Sequence, residues 1–259
     1  MYVDVLLDPF GVDWPTFAHA AAAAEAAGFD GVWTYDHLAG SVHGASSVLE
    51  CWTALTALAA TVPRVVIGSM VLNVANRDAG TLGVMAATLQ HISGGRLLLG
   101  IGAGGGRETP YASEQYALGR TVEGDGARRR AVERAIATFR EVWTGQTGGA
   151  SGFVRPDPAP PVIVGGFGPK MSRLAGRSAD GINLPASRNL PDLLAVALEA
   201  RAGAGRDSEP FLVTASSVLS DEWLARDGDA HVRVAAMGVH RVVLYVRPPY
   251  RELIRLAAH

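Results

Sequence analysis

Short apolar runs alternate with longer Ala-rich or amphipathic stretches along the whole chain, and this alternation predicts eight strand–helix pairs. Residues 2–7 read as the first strand and 14–27 as the first helix. Asp13 offers an N-cap oxygen, Pro15 suits the first turn, and Gly28 suits the left-handed position just past the helix end. Residues 31–35 form a second strand, followed by a Gly/Ser-rich loop and a helix over 51–60. Residues 65–71 and 79–92 make the third pair. The fourth strand, 97–101, is unbroken in its apolarity, as expected of a strand covered on both faces. A long polar segment, 102–126, precedes a helix over 127–144. A Pro/Gly-rich connector, 145–161, then leads to strand 162–165 and helix 169–178. Three further pairs complete the series: 181–184 with 191–202, 211–219 with a helix inside 229–237, and 241–246 with 250–258.

Such alternation demands parallel pairing, because each helix supplies the crossover between neighbouring strands. Eight units close into a (β/α)8 TIM barrel; an open doubly wound sheet is the rival. The rival's fingerprint, G-x-G-x-x-G after the first strand with an acid ~20 residues on, is missing. Here the first strand ends in Asp8-Pro9-Phe10-Gly11, and the glycine-rich turn follows the fourth strand. The prediction is an α/β chain forming one (β/α)8 barrel domain over residues 1–259, a usual length for one barrel.

Composition narrows the function. With 25 acidic and 23 basic side chains the net charge is −2, which gives no electrostatic case for nucleic acid. The longest basic run, Arg128-Arg129-Arg130, falls in a helical pattern and reads as a solvated helix face. A single cysteine, Cys51, excludes an internal disulfide framework and a multi-thiolate metal site, and its apolar neighbours mark it as a buried, inert thiol. No metal centre is expected. No apolar run approaches the ~20 residues of a membrane span, and no basic segment precedes an apolar one at Met1. A cytoplasmic protein with no membrane partner is the expectation.

In a barrel the reactive groups lie where strands end, on the carboxyl face. The second strand runs into Asp36-His37, placing a carboxylate and an imidazole at the mouth. Histidine titrates near neutrality and can hand a proton to or from a redox centre; a structural hydrogen bond to the next loop is the alternative. The third strand ends in Ser69-Met70-Val71-Leu72-Asn73, and the fourth in Gly102-Ala103-Gly104-Gly105-Gly106. Glycines there let the backbone approach a ligand and offer N–H groups as an anion nest, or simply make a flexible loop. The fifth strand passes through Gly165-Gly166-Phe167-Gly168 into a helix opening with Pro169 and Lys170. Unpaired N–H groups and the positive dipole end attract a phosphate at such a start, and Lys170 adds a point charge. A tight turn without ligand is the other reading. Tyr111, Tyr116 and Trp52 are aromatic candidates for a pocket wall, with core packing as the alternative.

Together these blocks resemble the luciferase-like monooxygenase superfamily of flavin- and F420-dependent barrel enzymes. The resemblance is carried by Ala24-Glu25-Ala26-Ala27-Gly28-Phe29-Asp30-Gly31 followed by Asp36-His37, and by Ile92-Ser93-Gly94-Gly95-Arg96-Leu97. It continues through Glu133-Arg134-Ala135-Ile136, Gly165-Gly166-Phe167-Gly168-Pro169-Lys170-Met171 and Ala179-Asp180-Gly181. It implies that Asp36 and His37 are catalytic residues beside a coenzyme ring, His37 acting as proton donor or acceptor. Met70-Val71, flanked by Ser69 and Asn73, is similar to the bulge that backs the ring, which in many members contains a non-proline cis peptide. Gly102, Ala103, Gly104 and Gly105, with Gly165, Gly166, Phe167, Gly168, Pro169 and Lys170, match the segments that hold the coenzyme tail and phosphate.

The implied coenzyme is F420, with FMN as the alternative. The implied reaction is hydride transfer between the deazaflavin and a small organic substrate, in a chain for which the family suggests a homodimer. An FMN-dependent monooxygenase, a non-catalytic flavin- or F420-binding barrel, and a phosphate-handling barrel without redox role are the other readings. Some sugar-phosphate-oxidising members carry a glutamate just after the strand-four glycines. Gly105 stands there, Glu108 is the nearest acid, and no other catalytic acid near strand four stands out. The family's Arg-x-x-Pro after strand three is here Asn76-Arg77-Asp78-Ala79, without the proline, and the substrate-shaping insertions look shortened.

Overall fold

Every apolar run named above becomes a strand, and the strands form one closed parallel sheet in the computed structural model, which describes residues 1–225 and 228–258. The barrel strands are β1 (Tyr2–Leu7), β2 (Gly31–Thr34), β3 (Val66–Ser69, resuming at Leu72–Asn73), β4 (Leu97–Gly102), β5 (Val162–Gly165), β6 (Gly181–Pro185), β7 (Leu212–Val218) and β8 (Arg241–Val246). Each pairs in parallel with the next, and β8 returns to β1 in register from Tyr2↔Arg241 to Leu7↔Val246. Among the described residues this leaves no open sheet edge, as a barrel requires. The fold is a (β/α)8 TIM barrel.

Around it run α1 (Trp14–Ala26), α2 (Cys51–Thr61), α3 (Ala79–Ile92), α4 (Ala112–Ala117), α5 (Asp125–Val142), α6 (Pro169–Ser178), α7 (Leu190–Gly203), α8 (Asp221–Leu224), α9 (Asp229–Ala236) and α10 (Arg251–Ala257). Capping follows local chemistry. Asp13 accepts from the Thr16 amide at 2.9 Å to start α1, and Gly28 takes φ +82° just past its end. The structure departs from the sequence expectation in two places, and at a third it carries the bulge that the family resemblance implies. The polar segment 102–126 contains α4, too short to show a helical period. The connector 145–161 folds into a small hairpin pairing Gln146–Thr147 with Ala150–Ser151. The third strand is broken at Met70 and Val71, whose peptide bond is cis.

Strand alternation sorts the side chains into two cores. Outward residues such as Val5, Ile67, Leu99 and Val164 pack under the helices, while Leu6, Trp33, Met70, Leu98, Ile163 and Val243 fill the barrel interior. Below this interior layer the buried Asp4 accepts from Trp33 Nε1 at 2.8 Å and from the Arg241 guanidinium through two bonds of 2.7 Å. A polar plug therefore closes the amino end of the barrel, leaving the carboxyl end as the mouth.

The break in β3 sets the shape of that mouth. Ser69 donates its hydroxyl to the Gly100 carbonyl at 2.8 Å, and the Met70 amide donates to Thr34 O at 2.9 Å. Ladder pairing to β4 holds on both sides of the break, at Ile67↔Leu97 and at Leu72↔Ile101. Space for it exists only because β4 is bare there. A Cβ on Gly100 would lie 1.9 Å from the Ser69 carbonyl oxygen, and one on Gly102 would lie 2.6 Å from Val71 Cγ2. Gly100→Ala therefore forces backbone apart and should cost about 1–3 kcal/mol or more. Equilibrium urea unfolding measures this; a midpoint equal to wild type would contradict the packing described.

Candidate functional site at the barrel mouth

A cavity of about 780 Å³ opens over the carboxyl ends of the strands, within the ~300–1,000 Å³ typical of ligand sites. Met70 and Val71 face into it from the break in β3. One end is aromatic and imidazole-rich, and the other is built from glycine turns and cations.

His37 stands at the aromatic end, where β2 gives way to its loop. Its Nδ1 lies 3.2 Å from Glu114 Oε1, and Glu114 Oε2 accepts from the amides of Leu38 at 2.8 Å and Ala39 at 3.3 Å. The Glu114 side chain is only 3% exposed. Burial works against its ionisation, but the His37 hydrogen bond and the two amides together outweigh that and hold the carboxyl below its ordinary range. An ionised carboxylate only accepts, so His37 Nδ1 carries the proton between them. Nε2 has no protein partner among the described residues.

Glu114 answers the apparent lack of an acid near strand four. It comes from α4 and reaches back across 77 residues of chain to the end of β2. In sequence it is one acid among several in a polar loop, and nothing local marks it.

Asp36 is placed differently from His37. It borders the cavity, but its side chain is 0% exposed and its oxygens are saturated. Oδ2 accepts from the Asn73 amide (2.9 Å), Asn76 Nδ2 (2.9 Å) and Arg77 Nη1 (3.0 Å), while Oδ1 accepts from Arg77 Nη2 at 2.9 Å. Arg77 also bonds Glu50, the residue that caps α2. Asn76 Oδ1 in turn accepts from Gln115 Nε2 at 2.7 Å, so α4 is tied to β3 by Gln115 and to β2 by Glu114. The geometry gives Asp36 a clamping position, with no lone pair turned to a reacting group.

Around His37 the rings of Tyr35, His43, Tyr111 and Tyr245 line the same end. Burial pushes the phenols of Tyr35 and Tyr245 upward, keeping both protonated. Of the aromatic candidates read from sequence, Tyr111 reaches the cavity, Trp52 is buried in the core and Tyr116 is exposed at 52%. His43, in the loop between β2 and α2, was not singled out by sequence.

At the other end, the turn after β4 runs through Ala103, Gly104 and Gly105. The amides of Gly104, Gly105 and Gly106 donate to no protein group among the described residues. The Ala103 and Gly104 carbonyls are instead taken by Arg128 from α5. The start of α6 faces them with Phe167, Gly168, Pro169 and Lys170, and Gly168 caps it without a side-chain acceptor. Asp125, at the start of α5, is held below the usual carboxylate range first by Arg128 and further by Arg129 and Lys170. Arg128 and Arg129, expected on a solvated face, thus border the cavity. Val71, Asn73, Gly102 and Gly165 also line it, whereas Ser69 and Gly166 do not. Ser69 secures the strand break, and the Gly166 amide donates to Asn183 O. Among the described residues no group of three or more His, Cys, Asp or Glu is disposed to hold a metal, and no helix is long and apolar enough to cross a membrane.

Two measurements follow from these clamps. Asp36→Ala leaves the largely buried Arg77 with Glu50 alone and takes the acceptor from the Asn73 amide and Asn76, and should lower unfolding free energy by about 3 kcal/mol or more, read by guanidinium titration. A loss under 1 kcal/mol would contradict the clamp. Glu114, with its folded pKa lowered from 4.5, stabilises fully above that value, and its contribution fades as pH falls through the lower folded value. The stability gap between wild type and Glu114→Gln should therefore be constant near neutrality and shrink in acid; a gap that widens in acid would refute the sign.

The chain matches the family model described as luciferase-like monooxygenase over residues 8–252. It is 32% identical over 169 residues to an F420-dependent glucose-6-phosphate dehydrogenase of Microbacterium testaceum, covering 61% of this chain and 48% of the relative. To a 5,10-methylenetetrahydromethanopterin reductase of Methanolobus tindarius it is 31% identical over 209 residues, covering 78% and 60%. The chain thus spans about half the length of the first of these curated relatives and three fifths of the second. An F420-dependent secondary alcohol dehydrogenase in complex with an F420–acetone adduct superposes with TM-score 0.80 at 17% identity, over 98% of this chain and 96% of that one. The monooxygenase RslO1 from Streptomyces bottropensis superposes with TM-score 0.73 at 18% identity, over 100% and 97%. At these identities the superpositions speak for the fold, and the matched model speaks for the lineage: the chain belongs to the luciferase-like monooxygenase family.

Proposed function

We propose that this chain is a coenzyme F420-dependent oxidoreductase acting on a small organic substrate, with His37 as the proton donor or acceptor. The observation that carries the reading is the His37–Glu114 pair at one end of a cavity whose other end offers unpaired amides and three cations. The F420-dependent activities named for several relatives support the choice of coenzyme.

The residues suit such a group. The amides of Gly104, Gly105 and Gly106, the start of α6 and Lys170 would hold an anionic tail and phosphate, and the Met70–Val71 bulge would back the ring. Once bound, the coenzyme supplies the hydride chemistry. The protein's part is protonic. Glu114 fixes the His37 ring through Nδ1–H, leaving Nε2 to take a proton from a substrate hydroxyl or return it to a carbonyl oxygen. Asp36 positions this pair through the Asn73 amide, Asn76 and Arg77. FMN with dioxygen is the second reading, favoured by the family's own description. The case for a non-catalytic binder rested partly on the lack of an acid near strand four, and Glu114 fills that gap.

Absorbance titration with F420 and with FMN separates the coenzymes. Tight F420 binding without FMN binding is expected; the reverse would replace F420 by FMN, and binding of neither would end the redox reading. In the holoenzyme, His37→Ala should cut kcat by about 10²–10⁴ while coenzyme affinity changes little. Unchanged turnover would remove His37 from the chemistry.

A further inference from the structure

The cavity's two ends answer to different charges. The groups whose charges reach His43 are His37, Asp8, Arg247 and Glu114, whereas those that reach Asp125 are Arg128, Arg129 and Lys170. The charges acting most strongly on the two groups are different ones, and the cations suited to a phosphate gather at the glycine-turn end. There, Asp8 and Arg247 oppose each other in sign, and Glu114 is engaged by His37, Leu38 and Ala39. Burial and the neighbouring His37 push the pKa of His43 down, which favours its neutral ring. This end thus offers stacking faces and imidazole nitrogens, with the Glu114 carboxylate already engaged.

Three rings converge on it. His37 and Tyr111 lie 5.1 Å apart at 37°, His43 and Tyr111 5.6 Å apart at 38°, and His37 and His43 5.4 Å apart at 75°. Phe10 supports His43 from 4.4 Å. His43 ends a helical turn, Gly40–His43, that is held on both sides. The Ala39 amide donates to Glu114, the Ala45 amide donates to Gly40 O at 3.0 Å, and a Cβ on Gly40 would meet Ser47 O at 2.6 Å. Neither ring nitrogen of His43 has a protein partner among the described residues, in contrast to His37. The fold thus presents an uncommitted donor and acceptor at a set position, beside a tilted phenol face.

From these contacts we propose that His43 and Tyr111 form a substrate subsite for a planar, uncharged compound bearing one hydrogen-bonding oxygen, an aromatic or conjugated carbonyl compound or its alcohol. The ring faces of Tyr111 and His37 supply offset stacking surface, and His43 holds the oxygen within the reach of His37. As a substrate class this rests on the oxidoreductase reading; as a binding site it does not depend on the coenzyme.

The test uses acetophenone and its alcohol as probes, titrated into the protein with and without coenzyme while the histidine ring resonances are followed by NMR. Saturable shifts at His43 and His37 are expected, and His43→Ala and Tyr111→Leu should each weaken binding by about five- to tenfold with coenzyme affinity unchanged. Glucose 6-phosphate should leave His43 unmoved. The subsite is overturned if acetophenone shifts neither ring in either form, if both variants bind it like wild type, or if the sugar phosphate shifts His43 in its place. A protein that binds acetophenone at His43 but takes up neither F420 nor FMN keeps the subsite and loses the oxidoreductase reading. The opposite result removes the subsite alone.

Discussion

The close approach of β3 to β4 at Ser69, Gly100 and Gly102 is the contact on which the mouth of this barrel depends. A parallel ladder normally runs straight past such a point. Here it breaks, turns Met70 and Val71 into the opening, and resumes with its register to β4 shifted by one residue, from Gly68↔Leu98 to Leu72↔Ile101. Bare glycine backbone on β4 makes room, and the Ser69 hydroxyl bonds across the gap. Because the ladder resumes at Leu72, the Asn73 amide arrives where Asp36 can accept from it. The end of β2 is thereby fixed, and with it His37.

From that anchor the site is assembled by contacts between distant stretches of chain. Asp36 gathers Asn73, Asn76 and Arg77, while Glu114 and Gln115, adjacent on α4, reach to β2 and β3 respectively. A segment that looks like a plain polar loop is therefore part of the cavity wall. The energetics favour this because each buried carboxylate has all its neighbours in place: a buried anion is costly alone and tolerable when paired and hydrogen-bonded. The cavity is divided likewise, with arginines and a lysine kept to the glycine turns and aromatic and imidazole rings kept beside His37.

Membership of the luciferase-like monooxygenase family and the barrel fold are consistent with each other, yet neither selects a substrate. Many chemistries share this architecture, and the differences lie in loops after strand ends. In this chain those loops carry His43 and Tyr111 to one end of the cavity, and the first turns of α5 bring Arg128 and Arg129 to the other.

Much of this is legible in the sequence. The eight strands, most helix boundaries, the caps at Asp13 and Gly28 and the mouth position of His37 all follow from patterns within a few residues of one another, while the break at Met70-Val71 is implied by the family resemblance alone. Such patterns are local, and local sterics, periodicity and hydrogen bonding act on them directly. Glu114, His43 and the clamping of Asp36 were not readable. Their partners are tens of residues away, and an acid in a polar loop reads the same whether solvated or buried. Sequence by itself determined the element order and the parallel alternation that favours a barrel over an open sheet; the pairing of β8 with β1 closes it. Only tertiary structure decided which carboxylate serves His37 and which is consumed as a clamp, because that depends on which groups the closed sheet brings within hydrogen-bonding distance.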